Sequence, residues 1–187
     1  MKIRSFISLP ASPAAQERIA EIQQLLRRDP AGVKWEQSDK FHMTLRFLGD
    51  LEEEEVKNLG GLLVPQLSGL RSFAISYSTL GAFPTPARPR VIWIGIAENP
   101  RVTELQHIVE EVCREHRFGR DEARPFHPHI TLGRLKTDRE VSGLTAMLKT
   151  ITFEPIEDLC AGVHIMRSDL RPTGSRYTLI QSIPLQP

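Results

Sequence analysis

The chain predicts an α+β protein made of two related halves, and three observations carry that expectation. The tetrad His42-Met43-Thr44-Leu45 returns 87 positions later as His129-Ile130-Thr131-Leu132. With 6 His, 11 Thr and 21 Leu in 187 residues, a shuffled chain would hold about 0.04 copies of His-x-Thr-Leu, so two copies mark a duplication. Each tetrad alternates polar and apolar residues, the period of a half-buried strand, which sets His and Thr on one face and Met43, Leu45, Ile130 and Leu132 towards a core. The remaining periodic segments follow one another without regular strand-helix-strand alternation, which argues against a parallel doubly wound sheet.

The elements follow in order. An opening strand runs through Leu9, and Ser12-Pro13 supplies an N-cap and a first-turn proline for a helix carrying Ile19, Ile22, Leu25 and Leu26. Asp29-Pro30-Ala31-Gly32 ends that helix, and Val33 to Trp35 pairs as a short strand. The first tetrad strand spans Phe41 to Leu48 and closes at Gly49-Asp50. The acidic run Glu52 to Glu55 suits the positive start of a helix that continues to about Leu67 on Val56, Leu59, Leu63 and Leu67. Phe73 to Leu80 and Val91 to Ile96 are strands, joined by a proline-stiffened loop from Gly81 to Arg90. A helix over about Pro100 to His116 turns Val102, Leu105, Val109 and Val112 inward, and an Arg-rich loop leads to the second tetrad strand. Both tetrads are entered through a phenylalanine (Phe41, Phe126), left through a glycine (Gly49, Gly133) and followed by a helix. A pseudo-two-fold between such halves would face the two strands across a cleft.

Length and composition point to one domain, residues 1–187, with chain enough for a real core. The net charge of +1 gives no global field for nucleic-acid capture, yet 18 of the 24 cations are Arg, whose planar fork grips phosphate bidentately. A codon bias towards Arg would produce the same skew. Cys113 and Cys160 are too few for a disulfide framework and are expected as free thiols. No apolar run reaches 18 residues and the N-terminus lacks a signal-type stretch, so a cytoplasmic protein with no membrane partner is expected. A monomer is the default.

The two imidazoles define the chemistry. An unperturbed histidine titrates near pH 6.5, so one neutral ring can take a proton while a second, protonated, gives one to a leaving oxygen. Phosphoryl transfer wants such groups in line on opposite sides of phosphorus, with donors on the oxygens that gather charge; Thr44 and Thr131 supply hydroxyls two residues after each His. Arg46 shares the face of His42, whereas Arg134 is out of phase with His129 unless Gly133 introduces a bulge. Taken singly, either histidine would read as an ordinary half-buried strand residue; the matched pair does not. His127-Pro128-His129 has the spacing of a zinc site, but Pro128 and the lack of carboxylate or cysteine partners weigh against a metal. No glycine-rich phosphate loop, Gly-x-Ser-x-Gly elbow or His-Glu-x-x-His is present. A phosphodiesterase without metal or other cofactor remains, acting on an activated ester such as a five-membered 2′,3′-cyclic phosphate. His107, His116 and His164 are expected as surface or packing residues.

These residues bring a family into view. The chain resembles the two-histidine phosphoesterases, and within them the RNA 2′,3′-cyclic phosphodiesterases once called 2′-5′ RNA ligases. The resemblance runs from Arg4-Ser5-Phe6-Ile7-Ser8-Leu9-Pro10 through Phe41 to Gly49, Pro89-Arg90-Val91-Ile92-Trp93 and Pro128 to Arg134, to Arg167 to Tyr177. It implies a bilobal fold with an antiparallel sheet in each lobe, helices outside, and the active site in the groove between. It further implies hydrolysis of a 2′,3′-cyclic phosphate end to a 2′-phosphate, with RNA ends or nucleotides as partners. On this chain His42 would be the general acid at the departing 3′ oxygen and His129 the general base on water. Thr44 and Thr131 would hold the non-bridging oxygens, and Arg134, five residues after the second His, would add charge. Phe6, Phe41, Phe126 and Trp93 are candidate platforms for a base, against the plainer alternative of core packing. Arg114, Arg117, Arg120 and Arg124, and separately Arg167, Arg171 and Arg176, are candidates for the RNA backbone. Two other readings stay open: a 2′-5′ ligase or 2′-5′ phosphodiesterase, and an RNA- or nucleotide-binding module without turnover.

Overall fold

The computed structural model describes residues 1–28, 32–119, 124–135, 141–172 and 174–187. Its elements run β1 (Lys2–Pro10), α1 (Pro13–Leu26), β2 (Val33–Trp35), β3 (His42–Glu52), α2 (Glu53–Leu67), β4 (Phe73–Thr85) and β5 (Arg88–Ile96). They continue with α3 (Pro100–Glu115), β6 (His129–Leu135), α4 (Ser142–Thr150), β7 (Ile156–Cys160), β8 (Gly162–Arg171) and β9 (Gly174–Pro184). The helix starts are set by local chemistry. Ser12 Oγ accepts from the Ala15 N–H at 3.2 Å to cap α1, Asn99 Oδ1 accepts from Arg101 to cap α3, and Glu52 and Glu55 form a reciprocal capping box on α2. The Asp29-Pro30-Ala31 part of the expected helix stop lies outside the described residues.

The strands form one antiparallel sheet in the order β7-β4-β5-β6-β3-β1-β8-β9, with β2 added to β6. It divides into two lobes. β3, β1, β8 and β9 form one and β6, β5, β4 and β7 the other, and they meet only at the pair Met43↔Ile130 among the described residues. Both of those side chains are fully buried on the helical side, so the opposite faces of β3 and β6 are left free for the polar members of the tetrads.

The lobes do not coincide with the two halves of the chain. α1 packs against β7 and α4 of the second lobe, whereas α3 packs against β3 and α2 of the first. The C-terminal hairpin β8–β9 returns to pair with β1. Each half of the sequence therefore lends its first helix to the lobe that holds the other half's tetrad. One offset, 87, relates the pieces: 13 + 87 takes Pro13 to Pro100, and 42 + 87 takes His42 to His129.

Two expected boundaries differ. The loop from Gly81 to Arg90 is mostly strand, the turn being confined to Pro86 and Ala87. β7 pairs with β4 only over Phe73–Tyr77, so further on β4 has an unpaired edge that tolerates Pro84, which faces Pro89 beside a register shift. The first tetrad strand does not close at Gly49-Asp50 but runs on to Glu52, because a second register shift, with Gly49 at φ 73°, lets pairing with β1 resume.

Candidate active site

The antiparallel pair Met43↔Ile130 sets position 42 opposite 131 and position 44 opposite 129, so each tetrad's histidine stands across from the other's threonine. His42, Thr44, His129 and Thr131 are all half-buried on the groove face.

Both imidazoles are fixed in the same way. His42 Nδ1 donates to the Lys40 carbonyl at 2.6 Å, and His129 Nδ1 donates to the His127 carbonyl at 2.6 Å. A carbonyl only accepts, so Nδ1 carries hydrogen in both rings and Nε2 is the nitrogen that gains or loses a proton. Burial holds both rings below the usual 6.5; the carbonyl bonds oppose that shift, and the Arg134 charge adds to it at each ring. His129 also presses on His42, and His127 on His129.

Aromatic rings brace each histidine. His42 stacks on Phe6 at 4.9 Å between centroids and meets Tyr177 edge-on at 5.2 Å. His129 meets Phe83 edge-on at 5.0 Å, with Trp93 at 6.2 Å. A Cβ at Gly81 would overlap the Trp93 indole, which accounts for glycine there.

The second strand carries the bulge on which Arg134 depended. Pairing of β5 with β6 slips between Ile92 and Trp93, leaving Leu132 as the extra residue, and Arg134 returns to the groove face, exposed. Pairing of β1 with β3 slips at the equivalent place, leaving Leu45 extra. Arg46 is thereby turned away from the groove, contrary to the expected face. It is 2% exposed, paired with Glu110 of α3 and donating to the Phe118 carbonyl, while Phe47 takes the groove position. The two bulges correspond; Gly49 and Gly133 do not.

The proposed base platforms need correction. Phe41 is 2% exposed and belongs to the core, and Phe6 is 3% exposed beneath His42 and Tyr177, so neither offers an open ring face. Phe126 and Trp93 are half-buried, Phe126 packing against the core and Trp93 beside His129. Arg114, Arg117, Arg124 and Arg171 are exposed, Arg167 is paired with Asp169 at 2.8 Å, and Arg120 lies outside the described residues. Of the histidines set aside, His107 is exposed beside Glu111 and His116 caps α3. His164 instead faces the groove side of β8 and lines the same cavity as His42, with burial lowering its pKa. Tyr177 was missed as a neighbour of His42 because it arrives from β9, far away in sequence. Among the described residues, no three His, Cys, Asp or Glu side chains converge as a metal site.

A groove floored by two antiparallel half-sheets, with paired His-x-Thr strands at its base, defines a two-histidine phosphoesterase. Residues 9–93 and 94–177 each match the LigT like Phosphoesterase family, and the chain belongs to it. It is similar to the RNA 2′,3′-cyclic phosphodiesterase of Aquifex aeolicus, 31% identical over 98% of this chain and 97% of that one. It is likewise similar to the enzyme of that name from Methanothermobacter thermautotrophicus, 29% identical over 95% and 96% of the two chains. A crystal structure from Thermus thermophilus superposes with a TM-score of 0.81 at 25% identity, covering 98% of each chain.

Proposed function

We propose that this protein hydrolyses terminal RNA 2′,3′-cyclic phosphates to 2′-phosphates by acid–base catalysis between its two histidines. The observation that carries the reading is the matched pair of Nδ1–carbonyl bonds, which leaves an Nε2 on each side of the groove able to exchange a proton. The names of the relatives support the substrate.

His129 Nε2, neutral, takes a proton from water as the water oxygen bonds to phosphorus. The P–O3′ bond breaks, its electron pair going to O3′, and His42 Nε2, protonated, supplies the proton that completes the 3′ hydroxyl. Thr44 and Thr131 donate to the non-bridging oxygens, and Arg134 offsets their charge. Free Cys113 and Cys160 fit a reducing, cytoplasmic setting, and both histidines come from one chain, so a monomer suffices. Among the described residues no helix is long and apolar enough to cross a membrane.

The test is product analysis. His42→Ala and His129→Ala should each lower kcat on an oligonucleotide 2′,3′-cyclic phosphate by about 10²–10⁴-fold, and wild type should yield the 2′-phosphate by mass spectrometry in EDTA as in buffer. A 3′-phosphate product, or activity lost on chelation, contradicts the mechanism.

A further inference from the structure

Strand register lines up side chains across the first lobe. Opposite residues of an antiparallel pair share a face, so Pro10↔His42, Ser8↔Thr44 and Phe6↔Phe47 extend the groove face of β3 onto β1. Ser8↔His164 and Phe6↔Met166 carry that face to β8, and His164↔Ser182 and Met166↔Leu179 carry it to β9. Thr44, Ser8, His164 and Ser182 therefore form one polar row from the tetrad to the outermost strand. The apolar row Phe47, Phe6, Met166 and Leu179 runs beside it. The second lobe differs, since its matching row is Thr131, Trp93 and Gly81, with the indole on the flank of His129.

Two cavities lie along the polar row. One of about 510 Å³ opens beside His42, and a second of about 380 Å³ lies farther out, beside the start of α1. Pro10 and His164 line both, so the imidazole stands where the first cavity meets the second. The outer cavity is walled by Pro10, Pro13, Leu159, Ala161 and Pro184 together with Ser182, and Leu159 is 55% exposed. Its volume lies within the range of small-ligand sites. Burial lowers the His164 pKa, so at pH 7 the neutral ring offers one N–H beside the Ser182 hydroxyl. A line of hydroxyl and imidazole donors with no carboxylate in it suits a ligand group that only accepts, and a phosphodiester is such a group. Two steps between strands, about 10 Å, separate Thr44 from His164. That span leaves room for one ribose between a phosphate held at the tetrads and a phosphate held at His164.

We propose that an RNA strand leaves the histidines across this lobe, its last internucleotide phosphate held by His164 and Ser182 and its penultimate nucleoside seated in the outer cavity against Leu159. The inference rests on the hydrolytic reading of the groove and makes the protein a reader of chain length. A substrate of two nucleotides engages the outer site; a mononucleotide does not reach it.

Steady-state kinetics on adenosine 2′,3′-cyclic phosphate, on the diadenosine nucleotide with the same cyclic end, and on that dinucleotide with an internucleotide methylphosphonate give the readout. Wild type should show a KM about tenfold lower for the phosphodiester dinucleotide than for the mononucleotide, and the methylphosphonate should lose much of that margin. His164→Ala should raise the dinucleotide KM about tenfold and make the phosphodiester and methylphosphonate alike. Leu159→Glu changes an exposed side chain outside the groove, so it should raise the dinucleotide KM while the mononucleotide kinetics stay at the wild-type level. Equal KM values for mononucleotide and dinucleotide in wild type overturn the outer site and leave the hydrolytic reading standing. Equal losses on both substrates in Leu159→Glu, or an undiminished preference for the phosphodiester in His164→Ala, also overturn it. If wild type turns over neither substrate, calorimetric titration with the 2′-phosphorylated dinucleotide against adenosine 2′-monophosphate decides. A tighter dinucleotide whose margin is lost in His164→Ala keeps the outer site while the hydrolytic reading falls, and no margin removes the outer site as well.

Discussion

At the scale of single residues, the proposed mechanism asks two histidines with matching Nδ1–carbonyl bonds to hold unlike protonation states. Burial and the Arg134 cation hold both below the usual 6.5, so the free protein keeps both rings neutral at pH 7. An entering phosphate reverses that pressure, because its negative charge favours a protonated ring. The kcat/KM profile should therefore be a bell centred below pH 6.5, and stopped assays across pH 4.5–8 would locate it (roughly the span in which His titrates). Arg134→Gln should lower kcat/KM by about 10²-fold and move the bell to higher pH; a loss with no shift would place the guanidinium away from the rings. The same depression bears on stability. His42, His129 and His164 all titrate lower in the folded chain than the 6.5 of the unfolded one. As pH falls below that value the unfolded chain binds protons that the folded chain still refuses, so unfolding becomes easier. Urea midpoints should decline from about pH 7.5 to 5.5, and the decline should shrink in a His42→Gln variant.

At the scale of elements, the bulges decide which side chains face the groove, and each is braced by a helix from the opposite half. Gln23 of α1, 2% exposed, donates to the carbonyls of Leu132 and Glu36 at 2.9 Å each. Leu132 is the bulge residue of β6, so this bond holds the backbone just ahead of Arg134. The position 87 residues on is Glu110 of α3, which pairs with Arg46 beside the bulge of β3. Replacing Gln23 by Leu leaves two inward carbonyls without that donor and should cost about 1–3 kcal/mol, read from chemical denaturation. It should also reduce activity in the way Arg134→Gln does, since the same arginine is displaced. The tetrad strands, the three longest helices and the Ser12 cap of α1 are legible because each is dictated by neighbours within a few residues. Arg46 was misassigned because strict alternation fails where one extra residue enters a strand, and only the partner strand reveals that insertion. The prolines between Gly81 and Arg90 suggested a loop for a related reason. Whether a strand tolerates proline depends on which edge is unpaired, and pairing is a long-range property.

At the scale of the whole molecule, the halves of the sequence are exchanged between lobes. Residues 9–93 and 94–177 are the repeated units, yet β1 relies on β8 and α1 lies against β7. Separately produced fragments 1–86 and 87–187 should each fail to give a cooperative thermal transition by circular dichroism, whereas the intact chain should melt as one unit. Two independent transitions would show that each lobe can complete its core alone. The sequence by itself determined the duplicated His-x-Thr-Leu strands and the α+β class, because alternation and capping are local properties. Only the tertiary structure decided that Arg134 turns towards the histidines while Arg46 turns away, that Phe6 and Phe41 are packed instead of offered to a base, and that Tyr177 and His164 stand near His42. Those outcomes depend on which strands pair and in what register, and pairing is settled between residues far apart along the chain.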